Sequence, residues 1–374
     1  MTRTRGKRGE ETRAYWTMVL PAFVVYLLVM AFPIVLSLVL SLSDYNGGRM
    51  FGGKPWGVVG FDHYAKVFSD SAFWHALKNN SYIVLVSVFG QLPLGFVFAY
   101  VIYRRLVKWP DFWQGILYVP NIISIIVIGI LWQTIFSPVG PLAEVMNAAI
   151  RGGFQDRLNS IIASADPSAL SDEALRRILD LAGPSGAAMF TEPLIELRDL
   201  LSSYGPGNSP EVLEGLTNLF APKWTPDFLT KDDVAMLPIL FVILWMYTGM
   251  YLIMFLANMQ KIDTQIVEAA RIDGARETQV MRYIILPSLS GTFVNSAILA
   301  IAGSLSSFAL IFAMTGGGPG HVTEILSIYM FDKAFQGSPD FPLANAIALI
   351  MVGISFVLIA LTKAMEKRYG GKEE

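Results

Sequence analysis

The chain has 374 residues, of which 53% are hydrophobic and only 16% charged, against about 25% charged in an average soluble domain. That imbalance excludes an ordinary soluble protein and points to a membrane. There is no cysteine, so disulfides, thiol catalysis and cysteine metal sites are excluded. His63, His75 and His321 are scattered, and the net charge of −2 gives no pointer to nucleic acid; neither a metal nor a nucleic-acid partner is expected.

Six segments, roughly 15–43, 79–103, 112–137, 236–258, 288–312 and 341–362, are long enough to cross about 30 Å of hydrocarbon as helices. None contains Asp, Glu, Lys, Arg or His. The expected fold is all-α and integral to the membrane: six transmembrane helices, with a small helical extracytoplasmic insert between the third and the fourth. The first span follows a basic stretch, residues 1–14, with Arg3, Arg5, Lys7, Arg8 and Arg13. Its apolar run exceeds the h-region of a signal peptide, so it reads as an uncleaved anchor.

Charge sets the orientation. Segments 1–14, 104–111, 259–287 and 363–374 hold 16 Lys/Arg in 63 residues, whereas 44–78, 138–235 and 313–340 hold 12 in 161. Basic residues concentrate on the cytosolic side, which puts both termini and the 259–287 loop in the cytosol. Trp16, Trp109, Trp113 and Trp245 read as interfacial anchors, Trp245 equally as a packing residue.

Residues 44–78 form an external loop turned by Gly47, Gly48, Gly52, Gly53 and Pro55. Residues 138–235 carry 14 Asp/Glu against 7 Lys/Arg and no spanning stretch. Three short helices are expected there. One is capped by Ser171 and stopped at Gly183, one starts at Thr191 with Pro193 in its first turn and ends near Gly205, and one starts at Ser209 with Pro210 at its first position. Leu175, Ile178, Leu179 and Ala182 share one face, and Ile195, Leu197, Leu200 and Leu201 another, which describes a small folded cap.

Residues 268–287 read EAARIDGARETQVMRYIILP, a polar and mostly helical stretch between two spans. Glu268, Ala269 and Ala270 are good helix formers, Gly274 permits a sharp turn, and Pro287 marks entry to the next helix. The result is a two-helix elbow suited to docking on something in the cytosol. After the fifth span come Thr315-Gly316-Gly317-Gly318-Pro319, Thr323, Tyr329 and Ala334-Phe335. These glycines lack the lysine and the strand of a P-loop, and read as a tight turn at the head of the fifth helix or as a substrate contact.

The spacing Glu268-Ala269-Ala270, Gly274, Ile284, Leu286-Pro287, with Asp273 and Ala275 completing a DGA triplet, resembles the EAA loop of binding-protein-dependent ABC importer permeases. The run from Thr315 to Phe335 resembles the signature that follows the fifth span in the maltose/glycerol-phosphate permease branch. Val59–Tyr64 is similar to that family's stretch before the second span, with His63 in place of Asn; Asp263 and Met281 stand where the family often has Pro and Phe. The resemblance covers all six spans in order, and the 138–235 insert departs from it. It implies a carbohydrate-type permease subunit, not itself an enzyme, in the bacterial cytoplasmic (inner) membrane. The partners it implies are a second permease subunit, two ATPase subunits, an extracytoplasmic solute-binding protein and the lipid bilayer. The chain itself binds no cofactor; ATP and Mg belong to the ATPase subunits. Glu268, Ala269, Ala270, Asp273, Gly274 and Pro287 are then the ATPase-coupling residues, Glu268 contacting the ATPase groove and Gly274 setting the elbow angle.

No ionisable residue lies within a span, which weighs against a proton-coupled carrier and leaves sodium coupling open; a self-sufficient secondary carrier or channel is the alternative. A neutral polyhydroxy solute needs uncharged hydrogen-bonding groups and aromatic faces. Gln91, Asn121, Ser124, Gln133, Tyr247, Asn258, Asn295, Ser304, Ser306, Ser307 and Asn345 qualify, and each qualifies equally as glue between helices. Gly249 and Gly303 read as close-packing points. Asn121, Tyr247, Asn295, Ser306, Ser307, Phe308 and Asn345 are the expected substrate path, with Ser306, Ser307 and Phe308 favoured because they stand together late in the fifth span.

Overall fold

A computed structural model describes residues 4–45, 47–48, 56–164, 172–187, 195–197, 199, 210–221, 228–231 and 234–369. Regular structure among these residues is helical, apart from one isolated bridge between Ser43 and Val58. The chain divides into two compact units, Met1–Ile130 with Ala235–Glu374, and Leu131–Val234.

In the first unit, the helices Tyr15–Ser41, Ser71–Tyr103, Met236–Met259 and Phe341–Met365 are each long and apolar enough to cross a bilayer. Two bent pairs, Pro110–Ile122 with Ile125–Ile135 (95°) and Glu277–Ser288 with Ser290–Leu305 (64°), raise the number to six if each pair is one span.

Three helical runs contain a five-residue π turn: Leu27–Ala31, Ser87–Gln91 and Met281–Ile285. The second residue after each is a proline, Pro33, Pro93 or Pro287. A proline ring clashes with the carbonyl four residues earlier and offers no N–H. Here those carbonyls belong to Val29, Phe89 and Tyr283, each inside a π turn. The widened turn makes room for the ring, so the helix passes through its proline instead of ending there.

Three expectations need correction. The stretch 112–137 is not one helix: it breaks at Ile123, where the backbone is extended (φ −72, ψ 145), just after the buried Pro120 has weakened the last turn. The stretch 288–312 also breaks. Its helix ends at Leu305, Ser306 and Ser307 leave regular geometry, and a separate helix runs Phe308–Thr315. The Ser307 hydroxyl donates to the Gly303 carbonyl at 2.9 Å, the kind of local bond by which serine competes with the helix ladder. Pro287 does not open the next helix: it belongs to the arm ending at Ser288, and Ser290–Leu305 begins after a bend at Leu289.

The main core forms where Ser71–Tyr103 packs on Met236–Met259. Leu92, Phe96, Ala99 and Ile102 join Tyr251, Leu252, Phe255 and Met259, and Val267, Val280, Ile285 and Leu289 complete the cluster. Gly249 lets Met236–Met259 approach Pro110–Ile122: a Cβ there would fall on the Leu117 carbonyl oxygen and 2.9 Å from Tyr118 Cα. Gly303 is different. Nothing lies within 4 Å of its Cβ position, so it is not a close-packing point within this chain. His63 is buried and its Nε2 donates to the Ser43 carbonyl at 2.9 Å, tying down the segment ahead of Ser71–Tyr103. The helix Tyr15–Ser41 buries only Leu40 and Ser41.

The second unit has its own core of Phe154, Leu158, Leu175, Ile178, Leu179, Leu197, Leu216 and Phe220. Its helix Pro141–Ser164 is absent from the three expected; Gly152 and Gly153 disfavour helix locally, and the burial of Phe154 and Leu158 outweighs them. The helix expected to stop at Gly183 runs Asp172–Ala187, because glycine permits a stop without imposing one. Its Ser171 cap lies outside the described residues. The expected helix from Thr191 falls largely outside them too; Leu197 is buried, but Ile195 is exposed and does not share its face. Pro210–Phe220 is a helix, as its sequence predicts.

Candidate functional site

Residues 263–289 form a capped, two-armed elbow. Asp263 stands outside the first arm, Thr264–Ile272, and its carboxylate accepts from the Gln265 N–H at 2.9 Å. The DGA triplet ends that arm. Gly274 has φ +85, its N–H donates to the Arg271 carbonyl at 3.0 Å, and the Ala275 N–H reaches back to the Ala270 carbonyl at 2.9 Å. This paired arrangement is a Schellman motif, with glycine at the one position that needs a left-handed backbone. The two alanines of the motif, Ala270 and Ala275, pack against the main core. The second arm starts at Glu277, where the Gln279 side chain accepts from the Arg276 N–H at 2.7 Å.

One face of the elbow is anchored and the other is open. Val267, Val280 and Ile285 are buried. Glu268, Ala269, Asp273, Gly274 and Pro287 are exposed, beside Ile272 at 85% and Tyr283 at 69% exposure. The open face thus presents an exposed Ile and Tyr beside two small residues, Ala269 and Gly274, and two carboxylates, Glu268 and Asp273.

Glu277 holds the elbow to the end of Ser71–Tyr103. Its Oε1 lies 2.8 Å from Arg104 Nε and 3.5 Å from Arg271 Nη2, and accepts from the Tyr100 hydroxyl at 3.1 Å. Sequence reasoning missed this residue. A carboxylate in a polar loop and an arginine at a helix end were visible, but nothing in a single sequence pairs positions so far apart.

The expected substrate-path residues do not converge on one point. Ser306, Ser307 and Phe308 do stand together at the helix break. Phe308 stacks on Phe312 (centroids 4.9 Å apart, planes at 18°) and meets Phe331 at 5.2 Å. Asn295, Leu299, Ala302 and Ser306 recur at helical spacing and are all exposed, so Asn295 and Ser306 share one open stripe with Gly303. Asn121 is half-buried just before the Ile123 break, and Tyr247 is half-buried against the main core. Asn345 is half-buried and donates to its own helix at the Phe341 carbonyl, 2.8 Å away. Asn258 does the same to Met254.

Other polar groups act as glue. Gln91 donates to the Ile243 carbonyl at 2.8 Å, and Ser304 Oγ lies 3.0 Å from Ser87 Oγ. Asn79 and Asn80, which sequence reasoning passed over, do most of this work. Asn79 donates to the carbonyls of Val322 and Glu324, both at 2.8 Å. Asn80 accepts from the Leu326 N–H at 2.8 Å and donates to the Ser304 carbonyl at 3.2 Å. Both asparagines lie in the first half of Ser71–Tyr103 and fasten the Gly-rich segment to it.

That segment is a tight turn. Gly316 (φ +62) ends the helix Phe308–Thr315, and the Thr315 and Thr323 hydroxyls lie 2.7 Å apart across the turn. Beyond it, the Tyr329 hydroxyl donates to Asp70 Oδ2 at 2.7 Å, with Lys333 Nζ 3.4 Å from the same oxygen. Burial pushes the Asp70 carboxyl up, but Tyr329, the Ala72 N–H and the Lys333 charge outweigh it and hold it below its usual value. Burial raises the Glu324 carboxyl, against the pull of His321, whose Nδ1 is 2.6 Å away.

Comparison with known proteins agrees with this architecture. The chain is 26% identical over 354 residues to a probable ABC transporter permease of Bacillus subtilis, covering 94% of each chain. It is 24% identical over 345 residues to the lactose transport system permease protein of Rhizobium radiobacter, covering 92% of this chain and 90% of that one. The diacetylchitobiose uptake system permease protein of Streptomyces coelicolor is 22% identical over 93% of this chain and 84% of its own. Among solved structures, a bacterial ABC transporter for import of the acidic polysaccharide alginate has a chain of the same fold, with a TM-score of 0.65 at 19% identity over 97% of this chain and 98% of that one. The family profile described as binding-protein-dependent transport system inner membrane component matches residues 91–371, from the middle of the second long helix through the elbow to the last helix, and the chain belongs to that family.

Proposed function

We propose that the chain is one of two permease subunits of an ABC importer for a sugar or a related polar solute, and that the 263–289 elbow is where ATPase closure enters the membrane helices. The observation that carries this reading is the elbow's division into a buried face and an open one. Val267, Val280 and Ile285 join it to the same core as Phe96 and Phe255, so movement imposed on the open face reaches two long helices through close-packed side chains. Glu268, Ala269, Ala270, Asp273, Gly274 and Pro287 are the coupling residues in this account, and Glu277 with Arg104 is the tie that transmits the motion. ATP and Mg bind the ATPase subunits. An external binding protein delivers the solute. Both termini and the elbow lie in the cytosol, in line with the distribution of basic residues. The relatives named for lactose and diacetylchitobiose support a carbohydrate substrate, and the open stripe of Asn295, Ala302, Gly303 and Ser306 is the part of the path this chain contributes.

Purification tests the proposal. The chain, with its partner permease, should bring ATPase subunits with it, and hydrolysis by the reconstituted complex should rise on addition of loaded binding protein. Solute uptake by the chain alone in vesicles lacking ATPase subunits would establish a self-sufficient carrier instead.

A further inference from the structure

The loop between Ser71–Tyr103 and Pro110–Ile122 carries three cations and one exposed indole ring, Trp109. Arg104 is committed to Glu277 at 2.8 Å. Arg105 and Lys108 are exposed and stand in no ion pair among the described residues. Leu106 and Trp109 are 67% and 77% exposed, and Phe112, Trp113 and Ile116 continue the exposed apolar surface along the helix that follows. Arg105 (φ 51) and Trp109 (φ 56) both have a left-handed backbone, uncommon for residues other than glycine. The only acid within the loop or the first turn after it is Asp111.

Cations at the mouth of a span, next to indole rings and continuous with a face that enters the bilayer, match the charge and layering of an anionic lipid. Arg and Lys meet the phosphate, indole rings sit at headgroup level, and the apolar stripe meets the acyl chains. We propose that loop 104–109 is a binding site for an anionic phospholipid headgroup, with Arg105 and Lys108 on the phosphate and Trp109 and Trp113 beside it. The proposal rests on the chain's membership of a membrane-component family, not on the identity of its solute. Because the neighbouring Arg104 holds Glu277, the headgroup steadies the loop that anchors the elbow, and an occupied site favours coupling.

The test uses the complete complex with its ATPase subunits, in nanodiscs of phosphatidylcholine alone or mixed with phosphatidylglycerol, with retained lipid read by native mass spectrometry. The wild type should retain phosphatidylglycerol in preference to phosphatidylcholine. Arg105→Gln with Lys108→Gln should lower that retention on the order of tenfold, and the charge-preserving pair Arg105→Lys with Lys108→Arg should restore it. Equal retention of the two lipids by the wild type overturns the proposal without needing any variant. So does loss of the ATPase subunits from the Gln variant in detergent without added lipid, which would assign both cations to a protein contact. Retention is read independently of ATP hydrolysis, so a complex that fails to couple would count against the proposed function and not against this site.

Discussion

At Gly274 the conformational demand and the available space can be separated. The backbone is left-handed, yet no atom lies within 4 Å of a Cβ. A substitution therefore strains the backbone, by about 1–2 kcal/mol for an ordinary L residue and less for Asn, without a clash inside the chain. Gly274→Val should lower the melting temperature modestly and abolish binding-protein-stimulated ATP hydrolysis. Gly274→Asn should keep nearly full stability, so any loss of coupling it shows belongs to the docked partner. Asp70 makes a second residue-scale prediction. Its carboxyl is held below the usual value, so the stability it contributes is present above the unfolded value of about 3.9 and is lost as pH falls through the folded one. Thermal melts of the wild type should lose stability below about pH 4 more steeply than melts of Asp70→Asn, which keeps a side-chain cap but no charge. Parallel curves for the two would remove Asp70 from the account.

The elbow is the element that the proposed coupling depends on, and its parts were unequally legible. Polar composition, the Glu268-Ala269-Ala270 start and the DGA triplet announced two arms and a glycine turn, because a Schellman end is written in adjacent residues. The clamp on Glu277 was not legible, since it depends on Tyr100 and Arg104 arriving from another helix. Removing it should uncouple hydrolysis from uptake while costing only about 1 kcal/mol of stability, as expected of a partly exposed ion pair. Glu277→Ala assayed for both activities in proteoliposomes checks this, and unchanged uptake per ATP would show that the clamp is decoration. The broken spans were illegible for a related reason. Pro33, Pro93 and Pro287 are absorbed by π turns while Pro120 precedes a 95° break. A proline alone does not say which will happen; the packing around it decides. Gly249, where the Leu117 backbone leaves no room for a methyl, should tolerate Ala poorly, with overpacking costing about 1–3 kcal/mol.

At the scale of the whole molecule, hydropathy and the absence of charge in the spans were enough to place the chain in a membrane, and the elbow and Gly-rich motifs were enough to point to its family. The substrate path was not readable, because the same uncharged side chains serve as glue and as ligands, and here Gln91, Ser304, Asn79 and Asn80 are glue. Unit 131–234 has a core of its own, so replacing residues 150–225 with a short Gly/Ser linker should leave ATPase assembly intact. If the unit meets the binding protein, stimulation by that protein should weaken; an unchanged half-saturating concentration would make the unit a decoration. The central claim, that the elbow's open face receives an ATPase subunit, has a direct test because the chain has no cysteine. Glu268→Cys introduces the chain's only thiol, to be cross-linked in the assembled complex; Phe335→Cys, also exposed and at the far end of the Gly-rich segment, is the control. Glu268→Cys should cross-link to an ATPase subunit, with a yield altered by ATP, and Phe335→Cys should not. A complex that hydrolyses ATP yet gives no ATPase cross-link at Glu268→Cys, or gives one only at Phe335→Cys, would contradict that claim.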